Sequence, residues 1–212
     1  MTTLLLIRHG ESEANKVGFF AGQYDALLVG RGIEQAEKTA EYIVKKYAPS
    51  EIYASDLKRA YSTAEPISKL IGKAIIKDKG LREIYAGKWQ KMTFCDLERE
   101  FPNEYGVWLK DIGNAICPDG ETVKELGKRV METLEKIARQ NEDKVIAVAT
   151  HATPIRAVET IIQYGDISHM KDVPWVSNGS VTVLEFDGEW KVVSVSEDAH
   201  LGKDRTVFPA NV

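Results

Sequence analysis

Cysteine is scarce. Cys95 and Cys117 are the only two in 212 residues, too few for a disulfide framework and spaced like no metal signature. A reducing, cytoplasmic setting is therefore expected. Long hydrophobic runs are also missing. The first apolar stretch is only Leu4, Leu5, Leu6 and Ile7, without the basic flank or cleavage site of a leader, and no segment approaches the ~20 apolar residues of a membrane helix. A soluble protein with no membrane partner follows. No Lys/Arg block occurs: 28 basic residues against 32 acidic ones leave a formal charge of −4. That balance excludes a nucleic-acid face and makes any attraction for an anion a local matter. Internal repeats and low-complexity segments are absent. No cluster of Asp, Glu, His or Cys has ligand spacing, so no metal and no other cofactor is expected.

What is present begins with that first strand. An apolar run of strand length reads as buried on both faces, as in a parallel sheet, and the switch to Arg8-His9-Gly10-Glu11 marks its carboxyl end. Ligands of open α/β sheets bind at that end. Gly10 lets the backbone turn, and Glu11, Ser12 and Glu13 open a short helix whose free N–H groups favour an anion beside His9. With 43% hydrophobic residues the chain supports one sizeable core, read as a single domain over 1–212.

Glycines between residues 17 and 32 predict a loop beside the strand end, able to line a pocket. Ile33, Ala36, Ala40, Ile43, Val44 and Tyr47 predict a helix over 32–47, and a strand follows at 51–54. Ser55 or Asp56 is placed to cap the next helix, with Leu57, Ala60, Ala64, Ile67, Leu70 and Ile71 as its apolar face and Gly72 as its end. Ala74 to Lys77 supplies a third short strand. Residues 84–118, rich in aromatics and broken by Pro102 and Gly106, read as a small inserted helical cap. The turn at Pro118-Asp119-Gly120 leads into a helix with the stripe Val123, Leu126, Val130, Leu134, Ile137 and Ala138. Val145 to Ala149 is a second apolar strand, delivering a second histidine, His151, before a helix started by Pro154. Two alternating strands around Asp187-Gly188 end the chain as a hairpin. The fold class is thus α/β: a three-layer α/β/α sandwich on a mostly parallel six-stranded sheet with one antiparallel strand and a small helical cap. The tail after 198 has no periodicity, and His169 and His200 are expected at the surface. Cys95 and Cys117 read as packing residues.

Four motifs occur in order: Arg8-His9-Gly10-Glu11-Ser12 with Asn15; Ser55-Asp56-Leu57-Lys58-Arg59-Ala60 with Thr63-Ala64; Leu81-Arg82-Glu83 with Gly87 and Trp89; and His151. Together they resemble the histidine phosphatase superfamily, also called phosphoglycerate mutase-like. The likeness extends to about residue 201 if Asn178-Gly179-Ser180 and His200-Leu201 match its late motifs. The resemblance implies a nucleophile at His9, a phosphate clamp of Arg8 and Arg59, donors at His151 and Asn15, a phosphate contact at Ala152 and a proton donor at Glu83. The residue types suit this. A neutral imidazole can attack phosphorus, guanidinium forks match phosphate oxygens, and one carboxyl can protonate the leaving oxygen and then activate water. Departures occur at Leu27 and Val29, where the family has proline and threonine, leaving Gly30 as the helix cap; at Ala152, where it has glycine; and at Gln90-Lys91, where it has Glu-Gly.

These features imply a phosphomonoester hydrolase acting on a small phosphorylated metabolite through a phosphohistidine. A phosphoglycerate mutase is the alternative, disfavoured because Arg99 is the only arginine within 84–118, where mutases carry a pair; Lys88 and Lys91 could contact an acid. A phosphate-binding module without turnover is the other alternative. A homodimer is compatible with these features.

Overall fold

Strand β1 (Thr2–Arg8) is buried on both faces and divides its side chains between two cores. Successive residues of a strand point to opposite faces. Leu4 and Leu6 accordingly join one cluster, with Val123, Leu126, Val130 and Leu134, while Leu5 and Ile7 join another, with Ala40, Ile43, Ala64 and Ile67. Two cores on one strand require a helical layer on each side. The computed structural model describes residues 1–206.

The sheet order is β3-β2-β4-β1-β5-β6, built from β2 (Glu51–Ala54), β3 (Ile76–Lys77), β4 (Val145–Thr150), β5 (Val181–Phe186) and β6 (Trp190–Glu197). β1 to β4 run parallel; β5 pairs antiparallel with both β1 and β6, so it alone runs against the rest. Helices α2 (Gly30–Tyr47) and α3 (Lys58–Ile71) cover one face, and α6 (Val123–Gln140) and α7 (Ala152–Tyr164) the other. The short helix α1 (Glu13–Val17) follows β1, capped reciprocally by Ser12 and Asn15. Segment 84–118 carries α4 (Phe94–Glu100) and α5 (Pro102–Lys110). Its Trp89, Tyr105 and Trp108 are buried, and Phe20 from the first loop packs edge-on against Trp89 and Trp108 at centroid distances of 5.5 and 4.9 Å. Among the described residues no helix is long and apolar enough to cross a membrane.

Several local expectations are corrected. α3 is capped at Leu57 without a side-chain bond: the Ser55 hydroxyl accepts from Leu57 N–H, and Asp56 is held by Arg82. Leu70 lies exposed in the last turn of that helix, and Ile33 in the first turn of α2. Val29 rather than Gly30 is the N-cap of α2, and the helix starting at Ala152 carries Pro154 within its first turn. β3 is only two residues long because its side chains reach neither core. The tail forms two short 3-10 turns over Ala199–Asp204, broken by a kink at Gly202.

Gly10 is where fold and site meet. A Cβ there would lie 2.2 Å from the Gly32 carbonyl oxygen, so the loop after β1 and the start of α2 touch backbone to backbone. Gly10→Ala should therefore destabilise the protein by about 1–3 kcal/mol, the usual cost of overpacking. A lower midpoint of urea unfolding at unchanged slope is the expected reading; an unmoved midpoint would show that the contact can relax.

Candidate active site

Register decides what meets at the sheet's carboxyl edge. Arg8 is the partner of Thr150 across β1 and β4, so the residues that follow, His9 and His151, leave adjacent parallel strands side by side. Their rings lie 5.2 Å apart, centroid to centroid, edge to face. His9 is buried; its backbone N–H donates to the Thr150 carbonyl at 3.0 Å and its own carbonyl accepts from Asn178 Nδ2 at 3.0 Å. Both ring nitrogens have partners of fixed sense. Nδ1 lies 2.7 Å from the Gly10 carbonyl, which only accepts, and Nε2 lies 3.2 Å from Arg59 Nε, which only donates. The ring is therefore neutral, with its proton on Nδ1 and a lone pair on Nε2. Burial, then the charges of Arg59 and Arg8, hold its pKa well below the ordinary 6.5.

The two arginines are buried and held by backbone. Arg8 Nη1 donates to the Val176 carbonyl, and its Nε is buried without a partner among the described residues. Arg59 Nη1 and Nη2 donate to the Tyr24 and Gly22 carbonyls, each at 2.8 Å. Gly22 sits at φ 50°, a left-handed conformation that turns its carbonyl toward Arg59. Neither arginine forms an ion pair among the described residues. Burial lowers both to a pKa of about 10, so both remain charged.

Glu83 follows the third motif and is also buried. Its Oε1 accepts from Ile84 N–H at 2.8 Å and its Oε2 from Thr153 N–H at 3.4 Å. Burial raises its pKa above the ordinary 4.5, against the pull of these N–H groups and of Arg59. His151 is fully buried, with Nε2 2.9 Å from the Ser55 hydroxyl and Nδ1 without a partner among the described residues; burial and then Arg59 keep it neutral too. Asn15 is exposed, its Oδ1 taken by Ser12 and Asn178.

A cavity of about 1020 Å³ opens on this group. Arg8, His9, Asn15, Arg59, Glu83 and Ala152 line it, whereas His151 lies outside its wall. Apolar Phe20, Phe94, Tyr105, Trp108 and Leu109 form one side, and the cations Arg31, Lys110, Arg156 and Lys171 stand around it. Arg99 faces away, exposed and paired with Asp96 and Glu100. Lys88 pairs with Asp119, and Lys91 lies over the Tyr24 ring. Cys117 is buried, but Cys95 is exposed rather than part of the core. His169 is exposed as expected. His200 is not: it is half-buried, stacked on Tyr42, with Nε2 near Thr39 Oγ1 and the Gly179 carbonyl. Among the described residues no three His, Cys, Asp or Glu side chains are close enough to share a metal ion.

Sequence reasoning missed the carbonyls of Gly22, Tyr24 and Val176, the orienting role of Ser55, and Arg156. Backbone acceptors leave no residue-type signal. Arg156 did leave one, as the only charge in the apolar stretch Ala152 to Val158.

A three-layer α/β/α scaffold with two histidines side by side at the carboxyl edge of its sheet is what fold and site define, and comparison places the chain more closely. The model of the histidine phosphatase superfamily (branch 1) matches residues 4–198. The chain belongs to that superfamily. It is 31% identical to the metal-independent phosphoserine phosphatase of Arabidopsis thaliana over 95% of this chain and 84% of that one. Among solved structures it resembles Bacillus stearothermophilus YhfR, with a TM-score of 0.90 and 25% identity over 95% of this chain and 100% of that one. A phosphoserine phosphatase mutant from Entamoeba histolytica, in complex with phosphoserine, is 30% identical with a TM-score of 0.81, over 95% and 100% of the two chains.

The depressed histidines have a consequence for stability. His9, His151 and His200 all sit below 6.5 in the fold, so as pH falls through 6.5 the unfolded chain takes up their protons and the folded one does not. Glu83 and Glu159, raised by burial, act in the opposite sense but are fewer. Stability should fall on acidification from about pH 7 to about pH 5, by up to ~1.4 kcal/mol per pH unit for each extra proton the unfolded chain binds. Urea midpoints across that range check it, and a flat profile would contradict neutral burial of the histidines.

Proposed function

We propose that the chain hydrolyses the phosphomonoester of a small metabolite through a phosphohistidine on His9. The observation that carries this reading is the neutral His9 ring, whose Nδ1 proton is tied to the Gly10 carbonyl while Nε2 keeps a lone pair at a cavity between two buried arginines without carboxylate partners. In the first step Nε2 attacks phosphorus in line, the N–P bond forms and the P–O bond to the leaving group breaks. Glu83, whose raised pKa favours the protonated form, gives its proton to the departing oxygen. A water then takes that oxygen's place; Glu83 accepts its proton as it attacks phosphorus, the N–P bond breaks, and inorganic phosphate leaves. Arg8, Arg59, Asn15, the Ala152 backbone and the free Nδ1 of His151 are the proposed donors to the phosphoryl oxygens, supplying fixed positive potential where charge develops. No metal is needed in this scheme.

Segment 84–118 serves as a cap, since Phe94, Tyr105, Trp108, Leu109, Lys110 and Ile112 all line the cavity. Hydrolysis is favoured over mutase chemistry because Arg99, the lone arginine of that segment, faces away from it. The relatives named as phosphoserine phosphatases make phosphoserine the first substrate to try. Two free cysteines accord with a reducing compartment, for which we propose the cytoplasm.

Turnover of an aryl and an alkyl phosphate tests the roles. His9→Ala should abolish hydrolysis of both, together with acid-labile phosphate on the quenched protein. Glu83→Gln should cost roughly 10²-fold or more in kcat/KM on the alkyl ester, whose oxygen needs a proton, and clearly less on the aryl ester. Chelation by EDTA should leave the rate unchanged. Equal losses on the two esters would remove Glu83 from the acid role, and phosphoenzyme surviving His9→Ala would move the nucleophile.

A further inference from the structure

Arg156 is the third buried arginine at the cavity and has no part in the scheme above. It belongs to α7, one turn beyond Ala152, and only 4% of it is exposed. One edge of its guanidinium is occupied: Nε donates to the Val173 carbonyl at 3.0 Å, and Nη2 to the Met170 and Val173 carbonyls at 2.8 and 2.6 Å. One face is occupied too, by Trp175, whose ring centroid lies 4.0 Å from the central carbon. Nη1 alone has no acceptor among the described residues, yet it is not among the sealed, unpartnered atoms, and Arg156 lines the cavity. Among the described residues no carboxylate pairs with it. Glu159, the nearest candidate on the same helix, instead accepts from Gln163 at 3.3 Å.

A cation desolvated to this degree, oriented on three bonds to carbonyls and stacked on an indole, is pre-organised to take an anion on its open edge. The phosphoryl group already has Arg8 and Arg59. The distance from Ala152 to Arg156 is one helical turn, about 6 Å along the axis. Arg156 lines the same cavity as His9, Arg8 and Arg59, where a small acid phosphorylated at one end could engage both ends. We propose that Arg156 receives a carboxylate on the substrate, so that the enzyme acts on phosphorylated carboxylic acids in preference to simple phosphate esters. This rests on the phosphatase reading and adds the substrate class to it. Lys171 and Asp172, both exposed, also line the cavity.

The test compares phosphoserine with phosphoethanolamine, the same molecule with hydrogen in place of the carboxylate, and uses phenyl phosphate as the reference ester. The unmodified protein should prefer phosphoserine to phosphoethanolamine by about 10- to 100-fold in kcat/KM, the range a hydrogen bond to a charged group supports. Arg156→Gln should collapse that ratio toward one, chiefly through KM for phosphoserine, and Arg156→Lys should restore part of it. A purely structural Arg156, needed to hold the 170–173 carbonyls, would lower all three esters together and leave the ratio intact, which would overturn the proposal. Equal kcat/KM for the two amino esters in the unmodified protein would overturn it without any variant, so a misfolded Arg156→Gln does not decide the matter. Cleavage of phenyl phosphate alone would sink the carboxylate while sparing the phosphatase reading. Failure to cleave any ester would bring down both.

Discussion

Positive charge buried on backbone carbonyls, rather than on carboxylates, is the constraint from which the rest of this molecule can be read. Arg8 rests on Val176, Arg59 on Gly22 and Tyr24, and Arg156 on Met170 and Val173. Desolvating an ion costs several kcal/mol in a real protein, and each hydrogen bond to a charged group returns only about 1.5–3 kcal/mol. Carbonyl dipoles thus orient these guanidiniums without neutralising them. The remaining deficit is what a phosphate dianion can supply. Arginines elsewhere show the contrast: Arg82 forms a two-pronged pair with Asp56 at 2.6 Å, and Arg129 pairs with Glu121 at 2.8 Å. Those carry no surplus charge and tie loops together.

That constraint explains why so much irregular backbone surrounds a regular sheet. Regular strands and helices spend their carbonyls on each other, so free acceptors must come from loops. The stretch around 22–24 and the turns at 170–176 provide them, and each is held in turn. Gly22 needs its left-handed φ, and a Cβ there would lie 2.5 Å from that of Ala86. Gln23, next to it, donates to the Glu83 carbonyl at 3.1 Å and accepts from Arg82 at 3.1 Å. The carboxyl of Glu83 and the carbonyls that hold Arg59 are therefore positioned by one connected set of bonds. The sheet contributes one requirement that no loop could meet, the parallel register of β1 and β4 that sets His9 beside His151.

How much of this could be read from residues alone depended on whether the feature lives in residue type or in backbone. β1 and β4 were legible because burial on both faces leaves an unbroken apolar run, and α6 because every member of its predicted stripe is buried. The hairpin was legible from Asp187-Gly188, and the antiparallel strand had to be one of its two arms. His9, Arg59, Glu83 and the second histidine were legible as motifs in order, though their burial was not. Other features were hidden for physical reasons. Ser55 looked like a helix cap because a hydroxyl before a helix usually is one, whereas here it faces His151 across the sheet edge. His200 lies in a stretch without periodicity, and only the tertiary fold brings it onto Tyr42. Cys95 falls on an exposed side of a short helix too brief for its periodicity to be read.

Arg59 occupies two places in the proposed chemistry, and geometry reconciles them. Its Nε donates to the very lone pair that the mechanism requires for attack, at 3.2 Å. A phosphorus atom that takes the lone pair removes the acceptor from Arg59, whose Nη1 and Nη2 stay anchored on Tyr24 and Gly22. In the proposed scheme Nε would then donate to an oxygen of the arriving phosphoryl group instead. In that scheme the interaction that holds His9 neutral and correctly turned would be exchanged for one that stabilises charge on phosphorus, so that a positive neighbour disfavouring imidazolium would serve both stages. Lysine could not do this, since a single ammonium cannot remain anchored on two carbonyls while presenting a third, separate N–H along a fixed plane.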